Sequence, residues 1–524
     1  DCRGDFEWNT DSTKILYTRL DENQRPSSVW CHEIGSAQSD DKLVFNLEHP
    51  GRFIALGKTS SEKWITVNVH DHQTNQSFLL DATLSDLKPI PVTDWIEGLE
   101  YELEENDSYL IIRGNYDHED FALYRAPTPD NSRPSNPGLW TRLWVPVEGS
   151  VFTDYEILKN HWIIEYSEEG CGRYLIAEPD PIMFRIRQEL SLQTSIHDTH
   201  LDPLPGFDRD TVRMRISTPA SPTQVREIDL RSGESRQLKI SVPPNGHDSE
   251  NYIVKRHYGL SGDGQLVPLT IVHHKDLVPN HKSPVLLTGY GAYGMSLTPG
   301  FSATRRILLT RGVIHVTAHV RGGMEKGYQW YKSGRMADKD KSFDDFVGAA
   351  ESLIRDGYTS AGRIITHGGS AGGLLVGTAA MRRPELFRGV IADVPFVDVL
   401  KTMLDADLPL TPPEWPEWGN PIKSEDAKRR LSHFSPTQMV GKRQYPCILA
   451  TAGLTDPRVT YWEPARWIHQ LQALGRGGPF LLYTELNAGH GGPSGRYEGL
   501  DDIARIYQTV FRLFKLPIEA PYAL

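Results

Sequence analysis

Gly368-Gly369-Ser370-Ala371-Gly372 carries the first chemical signal in this sequence. This Gly-x-Ser-x-Gly run follows the apolar stretch Ile364-Ile365-Thr366-His367 and precedes a helix-compatible stretch over 374–381. Strand, sharp turn and helix in that order hold a serine in a strained backbone above the end of a sheet, and the glycines leave room for it. A serine hydroxyl is a poor nucleophile alone; it needs a base to take its proton and a carboxylate to orient that base. In α/β-hydrolase sheets the chain order is serine, acid, histidine, each on a loop after a strand. Asp456, in Ala452-Gly453-Leu454-Thr455-Asp456-Pro457-Arg458, and His490, in Asn487-Ala488-Gly489-His490-Gly491-Gly492, fit that order. The predicted chemistry is acyl transfer through Ser370, with His490 as base and Asp456 as its orienting acid.

Acyl transfer develops an oxyanion that needs hydrogen-bond donors. The backbone N–H of Ala371 is one by position, just after the nucleophile. Tyr290, in the loop Gly289-Tyr290-Gly291-Ala292-Tyr293-Gly294, is the candidate for the second. His319 and His367 sit in or beside strands and read as structural. His70 and His72 form an isolated His-x-His with no third ligand nearby, so they read as surface residues and no metal site is expected.

The elements that must position these groups divide the chain in two. Buried strands are expected over 284–288, 313–317, 364–366, 389–392, 447–451 and 480–483. Helices are expected over 342–355, 374–381, 462–474 and 500–514. Short apolar strands alternating with amphipathic helices give a doubly wound, mostly parallel sheet covered on both faces, and residues 246–524 are assigned to such an α/β-hydrolase domain. Residues 1–245 instead show β-branched runs such as Trp64-Ile65-Thr66-Val67 and Tyr109-Leu110-Ile111-Ile112. These recur about every 45–50 residues, in the range of four-stranded propeller blades. About five such units fit, and an all-β propeller is the expectation, with N-terminal blades missing from the chain.

The bulk numbers exclude several classes. Hydrophobic residues make up 39% of 524 and charged residues 24%, which is ordinary globular composition. A formal net charge of −12 argues against a nucleic-acid partner, and no apolar stretch reaches membrane-spanning length. The four cysteines, Cys2, Cys31, Cys171 and Cys447, are far apart without metal-ligand spacing, which favours a reducing compartment.

Seven motifs together resemble the prolyl oligopeptidase family of serine peptidases, and its oligopeptidase B branch most of all. They are the tyrosine loop 289–294, Val320-Arg321-Gly322-Gly323, the serine motif 368–373, Val394-Pro395-Phe396-Val397-Asp398-Val399, Glu417-Trp418-Gly419-Asn420-Pro421, Tyr461-Trp462-Glu463-Pro464 and Gly489-His490-Gly491-Gly492. The resemblance implies a seven-bladed propeller capping an α/β-hydrolase domain, short peptides as substrates, no metal or organic cofactor, and a cytoplasmic enzyme. It implies the triad Ser370, Asp456 and His490 with Tyr290 as oxyanion donor, and a role for Arg458 on the substrate backbone. It also implies cleavage after Arg or Lys, with Glu414 as the main acidic pocket residue and Trp415 beside it able to stack on the substrate. Further family acids are replaced by Pro416, Thr298 and Gly300, so paired basic residues are not the expected target. The blades that the family has ahead of Asp1 are expected from a separate chain, or from a region absent or cleaved away. An esterase or an acylaminoacyl- or prolyl-type peptidase with uncharged preference is the alternative. A non-enzymatic propeller binding module is the remote one.

Overall fold

The computed structural model describes residues 2–22, 25–49, 51–106, 109–129, 136–192, 194–495 and 497–524, with the backbone alone at Cys2 and Arg3. Five four-stranded antiparallel sheets occupy residues 2–46, 53–91, 101–144, 150–189 and 198–240, each with its strands in chain order. Alternation explains why they stack. In the strand Tyr109–Gly114, Leu110 and Ile112 point to one face and Ile111 to the other. The first two pack with Leu79 and Val92 of the preceding sheet, and Ile111 packs with Phe152 and Ile164 of the following one. The strand Trp162–Glu168 repeats the pattern: Ile164 packs backward, while Ile163 packs forward on Val212 and Met214. Each such aliphatic side chain gains about 1.5–3 kcal/mol on leaving water, and a lone blade would bury only one face.

After Ile240 the chain crosses to an eight-stranded sheet. Its strands are β1 (Tyr252–Leu260), β2 (Leu266–His274), β3 (Val285–Thr288), β4 (Ile314–Ala318), β5 (Ile364–Gly369), β6 (Phe387–Asp393), β7 (Cys447–Gly453) and β8 (Phe480–Glu485). Their spatial order is β1-β2-β4-β3-β5-β6-β7-β8. The β1–β2 and β2–β4 pairs are antiparallel and the rest parallel. The strands expected from the sequence correspond to β3 to β8, and the structure adds the β1–β2 hairpin: β1 is an edge strand with Lys255 and Leu260 exposed, whereas β2 is buried over 267–274 and carries an apolar run of its own.

Both faces of the parallel strands are covered. Ile364 and Val390 pack under the helices Asp340–Arg355, Ala371–Arg382 and Trp462–Leu474. Their neighbours Ile365 and Ile391 pack on the other face against Val510 of the helix Gly499–Phe514. Cys31, Cys171 and Cys447 are buried free thiols, and the side chain of Cys2 lies outside the described residues.

Candidate active site

Ser370 stands between the end of β5 and the helix Ala371–Arg382, at φ 56° and ψ −119°. That conformation costs a non-glycine residue on the order of 1–3 kcal/mol, and the surroundings hold it in place. The Ser370 N–H donates to the Asp393 carbonyl at 2.8 Å, and the Ser370 carbonyl accepts from Gly373, Leu374 and Phe396. The flanking glycines are required by close approach. A Cβ on Gly368 would collide with the Gly372 carbonyl, and one on Gly372 would lie 2.7 Å from the Gly289 carbonyl.

His490 and Asp456 arrive from the loops after β8 and β7. His490 Nε2 lies 3.1 Å from Ser370 Oγ, and its Nδ1 lies 2.7 Å from Asp456 Oδ2. The Asp456 side chain is fully buried, and its Oδ1 accepts from the N–H groups of Arg458 and Val459 at 2.8 and 3.0 Å. A carboxylate so fixed makes Nδ1 the donor, which leaves Nε2 as the acceptor facing the serine hydroxyl. The two loops meet because Gly453 has no side chain: a Cβ there would lie 2.6 Å from the Gly489 carbonyl.

Ser370, Ala371, His490, Tyr290, Glu414 and Arg458 line one cavity of about 390 Å³. Ala371 begins a helix of 12 residues, whose N-terminal N–H groups and dipole favour negative charge. The Tyr290 phenol is pushed above its ordinary pKa, first by burial and then by the Glu414 charge, so it stays a proton donor. The arrangement can therefore take a proton from Ser370 and offer two donors to an oxyanion.

Glu414 lies on the helix Thr411–Trp418. Its Oε2 accepts from Tyr293 Oη at 2.7 Å and from Trp418 Nε1 at 3.1 Å. Trp415, read from the sequence as a stacking partner for substrate, does not line the cavity. One residue further round the helix, its indole packs on the hydrolase core and donates to the Met403 carbonyl. The aromatic groups at the carboxylate are instead Trp418, one helical turn on, and Tyr293. Pro416, Thr298 and Gly300 do not line the cavity either. At Gly300 a Cβ would lie 2.8 Å from Asp198 Oδ2 of the propeller, so a larger residue there would require Asp198 to move, and an acidic one would face its like charge.

His72 is exposed, as its sequence suggests, but it also forms part of the cavity wall, with Nε2 3.9 Å from Glu414 Oε1 and its ring 6.3 Å from that of Tyr293. His70, two residues before, lies beside Phe53 away from the site. His367 hydrogen-bonds Asp393 at 2.7 Å, and His319 is buried against Thr270.

Glu417, whose role the sequence alone did not mark, holds the tyrosine loop. It accepts from Tyr293 N–H at 3.1 Å and from Tyr331 Oη at 2.7 Å. Lys339 is buried, donates to the Gly291 carbonyl of the same loop, and has its pKa lowered to about 8 by burial, against the opposing pull of Glu417. The signal available was the Glu-Trp-x-Glu-Trp character of 414–418, in which two acids three apart share a helix side.

A model of the prolyl oligopeptidase family matches residues 299–516, and a model of the prolyl oligopeptidase N-terminal beta-propeller domain matches residues 1–241. Protease 2 of Moraxella lacunata is 33% identical over 534 residues, covering 99% of this chain and 73% of its own length. Dipeptidyl aminopeptidase BI of Pseudoxanthomonas mexicana is 31% identical, covering 95% of this chain and 68% of its own length. Among solved structures, oligopeptidase B from Leishmania major matches with a TM-score of 0.91 at 30% identity, over 98% of this chain and 72% of that one. Likeness of this degree, running through both domains and nearly every residue, makes the chain a serine peptidase of the prolyl oligopeptidase family, close to oligopeptidase B.

Proposed function

We propose that this protein hydrolyses short peptides after a single Arg or Lys through an acyl-enzyme on Ser370. The observation that carries the proposal is the Glu414 carboxylate in the same cavity as Ser370. Two donors tie its Oε2, so Oε1 is the acceptor left to a substrate cation. A charged hydrogen bond of this kind is worth about twice a neutral one.

The distances among Ser370, His490 and Asp456 support the following steps. His490 Nε2 takes the Ser370 proton as Oγ attacks the scissile carbonyl carbon. The resulting oxyanion receives hydrogen bonds from the Tyr290 hydroxyl and the Ala371 N–H. The C–N bond then breaks, and the leaving amine takes the proton from His490. Water repeats the sequence on the acyl-serine ester, releasing the acid and restoring the serine. Arg458, exposed at the rim, offers its guanidinium to the substrate backbone. Short peptides are favoured because the cavity wall includes a propeller residue, His72, so a chain must fit between the two domains.

The test compares two short amide substrates alike except for Arg or norleucine at the cleaved position. Glu414→Gln should lower kcat/KM for the Arg substrate by roughly 10- to 100-fold and leave the norleucine substrate nearly unchanged. An equal loss on both, or a wild-type preference for norleucine, contradicts the basic specificity and favours the uncharged alternative.

A further inference from the structure

Glu414 is faced by the propeller as well as by its own domain. The hairpin turn between the strands Trp64–His70 and Asn75–Asp81 projects His72 into the cavity. The turn is rigid: Asp71 Oδ1 accepts from the N–H groups of Gln73 and Thr74 at 2.8 and 2.9 Å, and Asp71 N–H donates to the Thr74 carbonyl at 3.0 Å. It is also docked. Arg335 Nη2 donates to Gln73 Oε1 at 3.2 Å, and Gln73 Nε2 reaches Tyr331 Oη at 3.4 Å. Tyr331 in turn donates to Glu417, next to the pocket helix turn that carries Glu414.

The two oxygens of Glu414 are therefore divided. Oε2 is held by Tyr293 and Trp418 of the catalytic domain, whereas Oε1 faces His72 Nε2 at 3.9 Å. We infer that His72 is a specificity-determining residue contributed by the propeller, whose protonated imidazole competes with a cationic substrate side chain for Glu414 Oε1. The proposal rests on the reading of Glu414 as the carboxylate that receives the basic side chain.

The groups that face His72 are few. Glu414 and Tyr293 come from the catalytic domain, Arg458 and His490 lie across the same cavity, and Asp71 in its own turn is occupied by backbone donors. Neutral imidazole leaves Oε1 open to an incoming guanidinium or ammonium. Protonated imidazole occupies it with a positive charge and adds repulsion toward the substrate cation. Imidazoles titrate near neutral pH, so the preference for basic over neutral substrates should fall as the solution is acidified. His72 keeps 38% of its side chain exposed and Glu414 19%, so solvent screening limits the effect to the scale of a surface ion pair.

The experiment measures, on the whole chain, the ratio of kcat/KM for the Arg and norleucine substrates from about pH 8 to about pH 5.5, a range that spans imidazole protonation. The Ser370, His490 and Asp456 machinery is common to both substrates, so its own pH dependence cancels in the ratio. For wild type the ratio should fall roughly three- to tenfold toward pH 5.5. His72→Gln should hold it at the high-pH value throughout, and His72→Lys should hold it at the low value at every pH. A ratio in His72→Gln that follows wild type, or one in His72→Lys that stays high, overturns the inference while a selective loss in Glu414→Gln leaves the basic specificity standing. A Glu414→Gln variant without selective loss overturns both.

Discussion

Ser370 Oγ, at 3.1 Å from His490 Nε2, owes its position to a backbone that serine avoids when free. The strain at φ 56° is held by hydrogen bonds to Asp393 at the end of β6, to the first turn of the following helix and to Phe396, and by glycines that admit the helix above. At this scale the sequence was most legible, because Ser370, Asp456 and His490 each sit in short motifs whose residue types serve one chemistry. Tyr290 was legible only as a candidate, since loop tyrosines also pack, and Tyr293 three residues on does that work by holding Glu414. The half-buried Tyr290 hydroxyl keeps its proton because its pKa is raised. Tyr290→Phe should therefore lower kcat by about 10²- to 10³-fold while changing KM little. Steady-state kinetics on a short amide substrate checks this, and a loss confined to KM would remove Tyr290 from the oxyanion site.

The elements follow from periodicity wherever they are buried. The helix Ala371–Arg382 and the strands β3 to β8 carry continuous apolar runs, and so their places could be read. The helix Thr411–Trp418 could not, because its content of proline and acid resembles a loop. Trp415, the neighbour of Glu414 in sequence, turns to the core, while Trp418 reaches the carboxylate: adjacency in sequence is not adjacency on a helix. Glu417, on the same helix, braces the tyrosine loop together with Tyr331 and the buried Lys339. Glu417→Gln leaves that ammonium without its carboxylate and should cost about 1–3 kcal/mol of stability. It should also lower kcat roughly tenfold through the displaced Tyr290 loop. Thermal unfolding and kinetics on the same sample test the pair; unchanged values for both would show that the brace is idle.

The whole molecule brings residue 72 beside residue 414, a juxtaposition no local pattern encodes. His72 is exposed, as its sequence suggests, and its place at the cavity wall is not legible there because the contact depends on how the second blade seats against the catalytic domain. Blade packing itself was legible, since Ile111 and Ile163 alternate with neighbours that face the opposite sheet. The propeller also encloses carboxyls. Burial raises Glu104 to about 7, and burial followed by the Asp154 charge raises Glu165 to about 8, from a usual 4.5. A raised folded-state pKa means that the folded chain holds these protons more tightly than the unfolded one. Their contribution to stability is complete below about pH 4.5 and is lost as pH rises through about 7 to 8. The unfolding temperature should fall across that window, and Glu165→Gln should make the fall shallower; an identical slope in the variant would refute the assignment. The central claim is that one serine, activated through His490, performs acyl transfer for the entire chain. Intact-mass and peptide-mass measurement after treatment with a fluorophosphonate tests it most directly. The account predicts a single adduct on Ser370 that disappears in His490→Ala, whereas an unmodified Ser370 in an actively cleaving sample would contradict it.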